Sequence, residues 1–144
     1  MTPSLVLDCS AACALCFEDE ADEQSERVLE LLEAGQALVP ALFFWEVANV
    51  LLMAERRGRL SHADRVEALQ LFEAQGFAVD PATPAVIWHD VINLAEQCQL
   101  TSYDAAYLEL AMRSGLPLAS HDRALCTAAE RLGVPLLNGG TMPR

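Results

Sequence analysis

Lysine is absent from this chain: all nine of its basic residues are arginine. Whole classes of chemistry go with it. A Walker-type phosphate loop needs a lysine that reaches the nucleotide phosphates, and a pyridoxal enzyme forms its Schiff base on one. Neither is possible here. Long apolar runs are missing as well. None reaches the ~18 uninterrupted apolar residues of a membrane-spanning helix. Met1-Thr2-Pro3-Ser4 carries no basic flank ahead of a long apolar stretch. Neither a membrane span nor a signal peptide is expected, and the expected location is cytoplasmic. Positive charge is scarce too. Nine basic residues stand against 21 acidic ones, a net charge of −12. A nucleic-acid binder usually shows a basic surface, so this balance counts against a nucleic-acid substrate.

One basic cluster softens that objection. Arg56, Arg57 and Arg59 sit together beside Gly58. Arginine makes forked contacts to phosphate, so even a small group can position a backbone. The same three residues also read as the solvated end of a helix.

The five cysteines, Cys9, Cys13, Cys16, Cys98 and Cys126, are odd in number. In a chain read as cytosolic they do not suggest a disulfide framework. Cys9-x3-Cys13-x2-Cys16 does match the spacing that holds an iron–sulfur cluster in radical enzymes, and thiolates do ligate such clusters. The simpler reading is structural. Residues at i, i+4 and i+7 share one helix face, and cysteine is a small apolar residue that prefers the interior.

What the chain does have is apolar residues, 53% of 144. That suits one domain able to bury a core without staples. Short apolar runs at 4–7, 37–39, 77–79, 116–119 and 134–137 read as buried strands. Helical patterns alternate with them. Ser10 suits the N-cap of a helix over 11–17, and Val28, Leu29, Leu31 and Leu32 recur at helical spacing before Gly35. Residues 42–53 read as a buried helix containing Glu46. Ser61 caps another, with Val66, Leu69 and Phe72 inward. Pro84 opens a helix to about Cys98, with Ile87, Val91, Leu94 and Ala95 inward. Thr101 opens one that ends near Gly115, and a last helix ends at Gly133. Strands alternating with helices predict an α/β fold with a parallel sheet covered on both faces. The domain is expected over 1–137, followed by a loose tail at 138–144.

Four acids stand out against that pattern. Ligands bind such folds at the C-terminal ends of the strands. Asp8 directly follows the first strand and Asp122 comes just after the fourth. Asp104 is in the first turn of its helix, and Glu46 is early in a helix that follows the second strand. Four separate segments can thus deliver carboxylates to one rim. Glu46 is the least ordinary, set into Phe43-Phe44-Trp45-Glu46-Val47-Ala48, because carboxylates are rarely buried unless paired or metal-bound. If the four meet within about 5 Å, each pair repels by roughly 3 kcal/mol at an effective dielectric near 20. Such a cluster must take up protons or a cation. Oxygen ligands alone select a hard ion, Mg²⁺ or Mn²⁺. An ion so held suits phosphodiester hydrolysis.

Leu7-Asp8-Cys9-Ser10, Glu46-Val47-Ala48-Asn49-Val50-Leu51, Ser102-Tyr103-Asp104-Ala105-Ala106-Tyr107 and Ser120-His121-Asp122-Arg123-Ala124-Leu125 together resemble the successive signatures of PIN-domain nucleases. In particular they resemble the toxin member of VapBC-type toxin–antitoxin pairs. The likeness runs in order along nearly the whole chain. It implies a PIN-like three-layer sandwich with a five-stranded parallel sheet, and a homodimer. It implies a Mg²⁺ site made by Asp8, Glu46, Asp104 and Asp122, and cleavage of single-stranded RNA. Ser10 and Ser120 would orient the carboxylates. A cognate antitoxin would block the site, often with a basic side chain, and an acidic surface fits such a partner.

Some positions depart from that pattern or stay open. His121 stands where a small polar residue is commoner. It could be a base, a phosphate contact or a surface residue, and the last is the simplest. His62 and His89 read as surface or core-edge residues. Tyr103 and Tyr107 could stack on a base, although packing is the plainer role. A haloacid-dehalogenase-like phosphatase would want an Asp where Ser10 stands, and a lysine. A response-regulator receiver also wants a lysine. A catalytically silent module keeping the same shape is the remaining rival, and four intact acids speak against it.

Overall fold

The computed structural model describes residues 2–137 of the chain, so the expected tail at 138–144 lies outside the described residues. Four strands form one parallel sheet: β1 (Pro3–Leu7), β2 (Gln36–Pro40), β3 (Ala78–Asp80) and β4 (Leu118–Ala119). Their order is β3-β2-β1-β4, with every neighbouring pair parallel. Parallel strands need crossovers, and helices supply them. Between β1 and β2 lie α1 (Cys9–Ala14), a 3₁₀ turn (Glu18–Glu20) and α2 (Glu23–Ala34). Between β2 and β3 lie α3 (Leu42–Arg56) and α4 (His62–Gln75). A π-helical segment (Val86–Val91), α5 (Ile92–Cys98) and α6 (Ser102–Ser114) lead to β4, and α7 (Arg123–Arg131) follows it.

Successive residues of a strand point to opposite faces. Leu5, Val6 and Leu7 are nevertheless all fully buried, so both faces of β1 are covered, as the uninterrupted apolar run predicts. Burying each of these side chains contributes roughly 1.5–3 kcal/mol. Phe43, Val47 and Leu51 of α3 and Leu108 and Ala111 of α6 fill the same core. The spacing 43, 47, 51 is the inward face of α3, which leaves Phe44, Trp45 and Val50 exposed.

The order 3-2-1-4 makes the gap between β1 and β4 a switch point. The chain leaves β1 toward β2 on one side, while β4 lies on the other. Loops therefore diverge above these two strands and open a crevice at their C-terminal ends. Asp8 and Asp122 flank that crevice.

Several expectations are corrected. The fifth strand is reduced to a single parallel bridge, Leu118 to Leu136, so the sheet has four strands among the described residues. The partner strand β4 is only two residues long, and Pro117 before it has no N–H to extend the ladder. Asp8, not Ser10, caps α1. Asp8 is extended (φ −88°, ψ 170°) and its side chain accepts from the Ala11 N–H, which leaves Ser10 inside the helix. Ile87 is exposed, not inward. The Ile92 N–H bonds back to the Ile87 carbonyl, one residue further than in an α-helix. That wider turn rotates Ile87 off the face of Val91, Leu94 and Ala95. By contrast Ser61 and Thr101 do cap α4 and α6 with their hydroxyls.

Candidate active site

Asp8 is held from three sides. It is almost wholly buried just past β1. Its Oδ1 accepts from the Ser10 hydroxyl at 2.7 Å and from the Ala11 N–H at 2.8 Å. Its Oδ2 accepts from the Ser120 hydroxyl at 2.5 Å. Each serine is itself fixed. The His121 N–H donates to Ser10 Oγ at 2.8 Å, and the Asp122 N–H donates to Ser120 Oγ at 2.9 Å. The two loops above β1 and β4 are thus laced together through the Asp8 carboxylate. Gln24 of α2 adds a brace, its Nε2 donating to the Ser120 and Leu137 carbonyls at 3.1 and 2.8 Å.

The other acids arrive on helices. Asp122 caps α7, its Oδ1 accepting from the Leu125 N–H at 2.8 Å. Asp104 sits in the first turn of α6, where its own N–H donates to the Thr101 hydroxyl at 3.1 Å. Glu46 lies near the start of α3, and its Oε1 accepts from the Tyr107 hydroxyl at 2.6 Å. Asp8, Glu46, Asp104 and Asp122 line one cleft of about 310 Å³, together with Ser10, Cys9, Cys13, Tyr107 and Arg59. A larger groove of about 900 Å³, lined by Phe17, Leu29, Leu71 and Phe72 among others, contains none of the four acids. The four acids lie in the smaller cleft.

The carboxylates sense one another. Burial raises the pKa of Asp8 above its ordinary range. Hydrogen bonds from Ser120, Ala11 and Ser10 oppose that rise, and the Asp122 charge adds to it. Burial also raises Glu46 against the Tyr107 hydrogen bond, with Asp104 and Asp8 contributing repulsion. Asp104 is raised by burial, then by the charges of Asp122 and Asp8. These are the two causes that make a carboxylate cluster seek protons or cations. Every acid in the cleft offers oxygen, and the cluster fits a hard divalent ion on that chemistry. As the side chains stand, no three His, Cys, Asp or Glu groups among the described residues gather closely enough to hold one ion.

The structure brings all four expected acids and both expected serines to one place. It separates the arginines. Arg59 lines the cleft, stacks over Phe17 at 3.9 Å and pairs with Asp19 and Glu20 at 3.0 and 2.6 Å. Arg56 and Arg57 are exposed at the end of α3. His121 is exposed, with Nε2 3.5 Å from Asp22. All five cysteines are free, and Cys9 and Cys13 lie 3.8 Å apart on α1. Proximity to Cys9, then burial, raises the Cys13 pKa, and burial pushes Cys16 up to about 11. Without a metal such thiols stay protonated at neutral pH. Tyr107 is the residue whose part the sequence understates. Its position one turn after Asp104 on the same face of α6 is the signal that marks it.

The PIN domain family profile matches residues 5–131. Over 131 residues the chain is 34% identical to Ribonuclease VapC3 of Pyrobaculum aerophilum, covering 91% of this chain and 98% of that one. The crystal structure of PAE2754 from Pyrobaculum aerophilum superposes with a TM-score of 0.68 at 27% identity, over 89% of this chain and 87% of that one. The crystal structure of FitAcB from Neisseria gonorrhoeae shares the fold, with a TM-score of 0.58 at 16% identity over 88% and 93% of the two chains. The chain belongs to the PIN-domain family. Within that family it is VapC-like.

Proposed function

We propose that this chain is a Mg²⁺-dependent endoribonuclease that hydrolyses phosphodiester bonds of single-stranded RNA, and that it is the toxin of a VapBC-type pair. One observation carries the reading: four carboxylates from four separate segments line a single cleft, with Asp8 at its floor. The likeness to a protein named as a ribonuclease agrees with it.

When bound, the ion would supply an activated water and neutralise charge on the phosphate oxygens. Asp8, Glu46, Asp104 and Asp122 would hold it by drawing closer around it than they stand without it, with Mn²⁺ an acceptable substitute. The chain's own work is preparation. Ser10 and Ser120 fix the direction of the Asp8 oxygens, and Thr101 fixes the turn that carries Asp104. Arg59 is the one basic residue among the described residues that lines the cleft, placed to meet the RNA backbone. A protein antitoxin with a basic segment would be drawn to the same acids and to the −12 chain around them.

Incubating the protein with single-stranded RNA in Mg²⁺ and in EDTA tests this directly. Cleavage is expected with the ion only, and Asp8→Asn is expected to lower the rate at least ~100-fold, on the scale of losing one preorganised charge-stabilising group. Its circular dichroism should match the parent, since Asn caps a helix as well as Asp. Undiminished cleavage by that variant would refute the site. Toxicity on expression, relieved by a small co-expressed partner, tests the toxin reading. The chain is also proposed to act as a homodimer. Trp45 and Trp88 are 81% and 71% exposed, and Phe44, Ile87 and Ile92 are exposed as well, far more apolar surface than isolated side chains need. Sedimentation at twice the monomer mass is expected.

A further inference from the structure

Two kinds of hydrogen bond hold the acids of the cleft, and they differ in what they leave free. Asp8 accepts on both oxygens, from the Ser10 and Ser120 hydroxyls and the Ala11 N–H. Among the described residues Glu46 accepts from one donor, the Tyr107 hydroxyl, and on Oε1. Tyr107 is rigid and cannot yield. It is 1% exposed, it belongs to the core, and α6 packs on β1, β2 and β4. Its ring has only two rotatable bonds, and its buried hydroxyl needs a partner. Glu46 is 61 residues away in sequence and on another helix, so this contact ties α3 to α6 across the cleft. Asp104 precedes Tyr107 by one turn. The helix that brings one acid therefore also sets the orientation of another.

The consequence concerns how many oxygens Glu46 can offer. With one lone pair of Oε1 taken by the phenol, Oε2 is the more open oxygen for an ion. Ca²⁺ takes six to eight oxygens, and carboxylates often meet it with both. Mg²⁺ and Mn²⁺ take six at shorter range in near-octahedral geometry, usually one from each carboxylate. We infer that Tyr107 is a positioning residue that makes Glu46 a one-oxygen ligand and so biases the cleft toward small octahedral ions over Ca²⁺. This rests on the metal reading of the cleft proposed above. Tyr107 acts on the ion through Glu46.

Calorimetric titration of the intact chain with Mn²⁺ and with Ca²⁺, at one pH, tests it. The parent is expected to bind Mn²⁺ more tightly. Tyr107→Phe keeps the ring and removes the donor. It is expected to narrow the Mn²⁺-to-Ca²⁺ affinity ratio by about tenfold, the scale of one hydrogen bond to a charged group. Leu108→Ala, beside it in the same core, is the control for loosened packing: it should lower the melting temperature and keep the ratio. A Tyr107→Phe ratio equal to the parent's overturns the inference. So does an equal loss for both ions, or a Leu108→Ala ratio that moves as far. If the parent takes up no Mn²⁺ at all, the metal reading itself fails and this inference falls with it; uptake with an unchanged ratio sinks the inference alone.

Discussion

At the scale of single residues, the cleft depends on donors as much as on acids. Ser120 is the clearest case. One buried hydroxyl donates to Asp8 and accepts from the Asp122 N–H, so it sets the relation between two acids from different strands. Ser120→Ala leaves Asp8 Oδ2 without its donor and frees the loop above β4. Loss of such a supporting contact typically lowers metal affinity or activity by about 10–100-fold, and a Mn²⁺ titration together with an RNA cleavage rate should show a drop of that order. An unchanged affinity would mean that Ser10 suffices. Ser10 and Ser120 were legible as carboxylate-orienting residues through the likeness to PIN-domain nucleases, not through spacing alone. Tyr107 was legible as a packing or base-stacking residue beside Asp104, but its bond to Glu46 was not, since no spacing rule connects the two. Arg59 was legible as a cation, but its partners Asp19 and Glu20 lie about 40 residues upstream on a separate turn.

At the scale of elements, helix starts position the site. Asp8, Asp122 and Thr101 are all N-caps, and three of the segments that build the cleft begin at or beside a site residue. Capping groups satisfy N–H donors that the helix leaves open. Thr101→Ala removes the hydroxyl that accepts from the Asp104 N–H, and should cost about 1 kcal/mol of stability. A lower urea midpoint at unchanged slope would show it. No shift would mean that water replaces the cap. Most elements could be read from apolar periodicity, because burial dictates it. Two failures have local causes. Asp8 and Ser10 are both good caps two residues apart, and only the backbone angles decide between them. Ile87 keeps an inward spacing in an α-helix and loses it in the π-helical turn.

The whole molecule carries a clustered charge, and pH should expose it. Asp8, Glu46 and Asp104 all have raised pKa values in the folded state. Between the ordinary carboxylate range near pH 4 and those raised values, the folded chain binds more protons than the unfolded one. Stability of the metal-free protein therefore falls as pH rises through that window and grows on mild acidification. Glu55 works the other way. Its pKa is lowered by hydrogen bonds from Arg65 and His62, so its contribution is lost only in stronger acid, and its exposure limits the effect. Added Mn²⁺ should reverse the trend at neutral pH, since an ion that binds only the folded state stabilises it while protons compete with it. Melting temperatures with and without Mn²⁺ should converge toward pH 5 and separate toward pH 8. Parallel curves would mean that the acids do not bind the ion.

The amino-acid order by itself determined the alternation of strands and helices and the four acids at helix starts and strand ends. These follow from local pattern: an apolar run must be buried, and a capping residue must meet its own helix. It did not determine that β4 would stop after two residues and leave Leu136 a lone bridge, nor that Glu46 would meet Tyr107, nor that the Asp8 carboxylate would join two loops. Those depend on which strands become neighbours. Placing β4 against β1 brings residues more than a hundred positions apart within hydrogen-bonding distance, and no local preference encodes that.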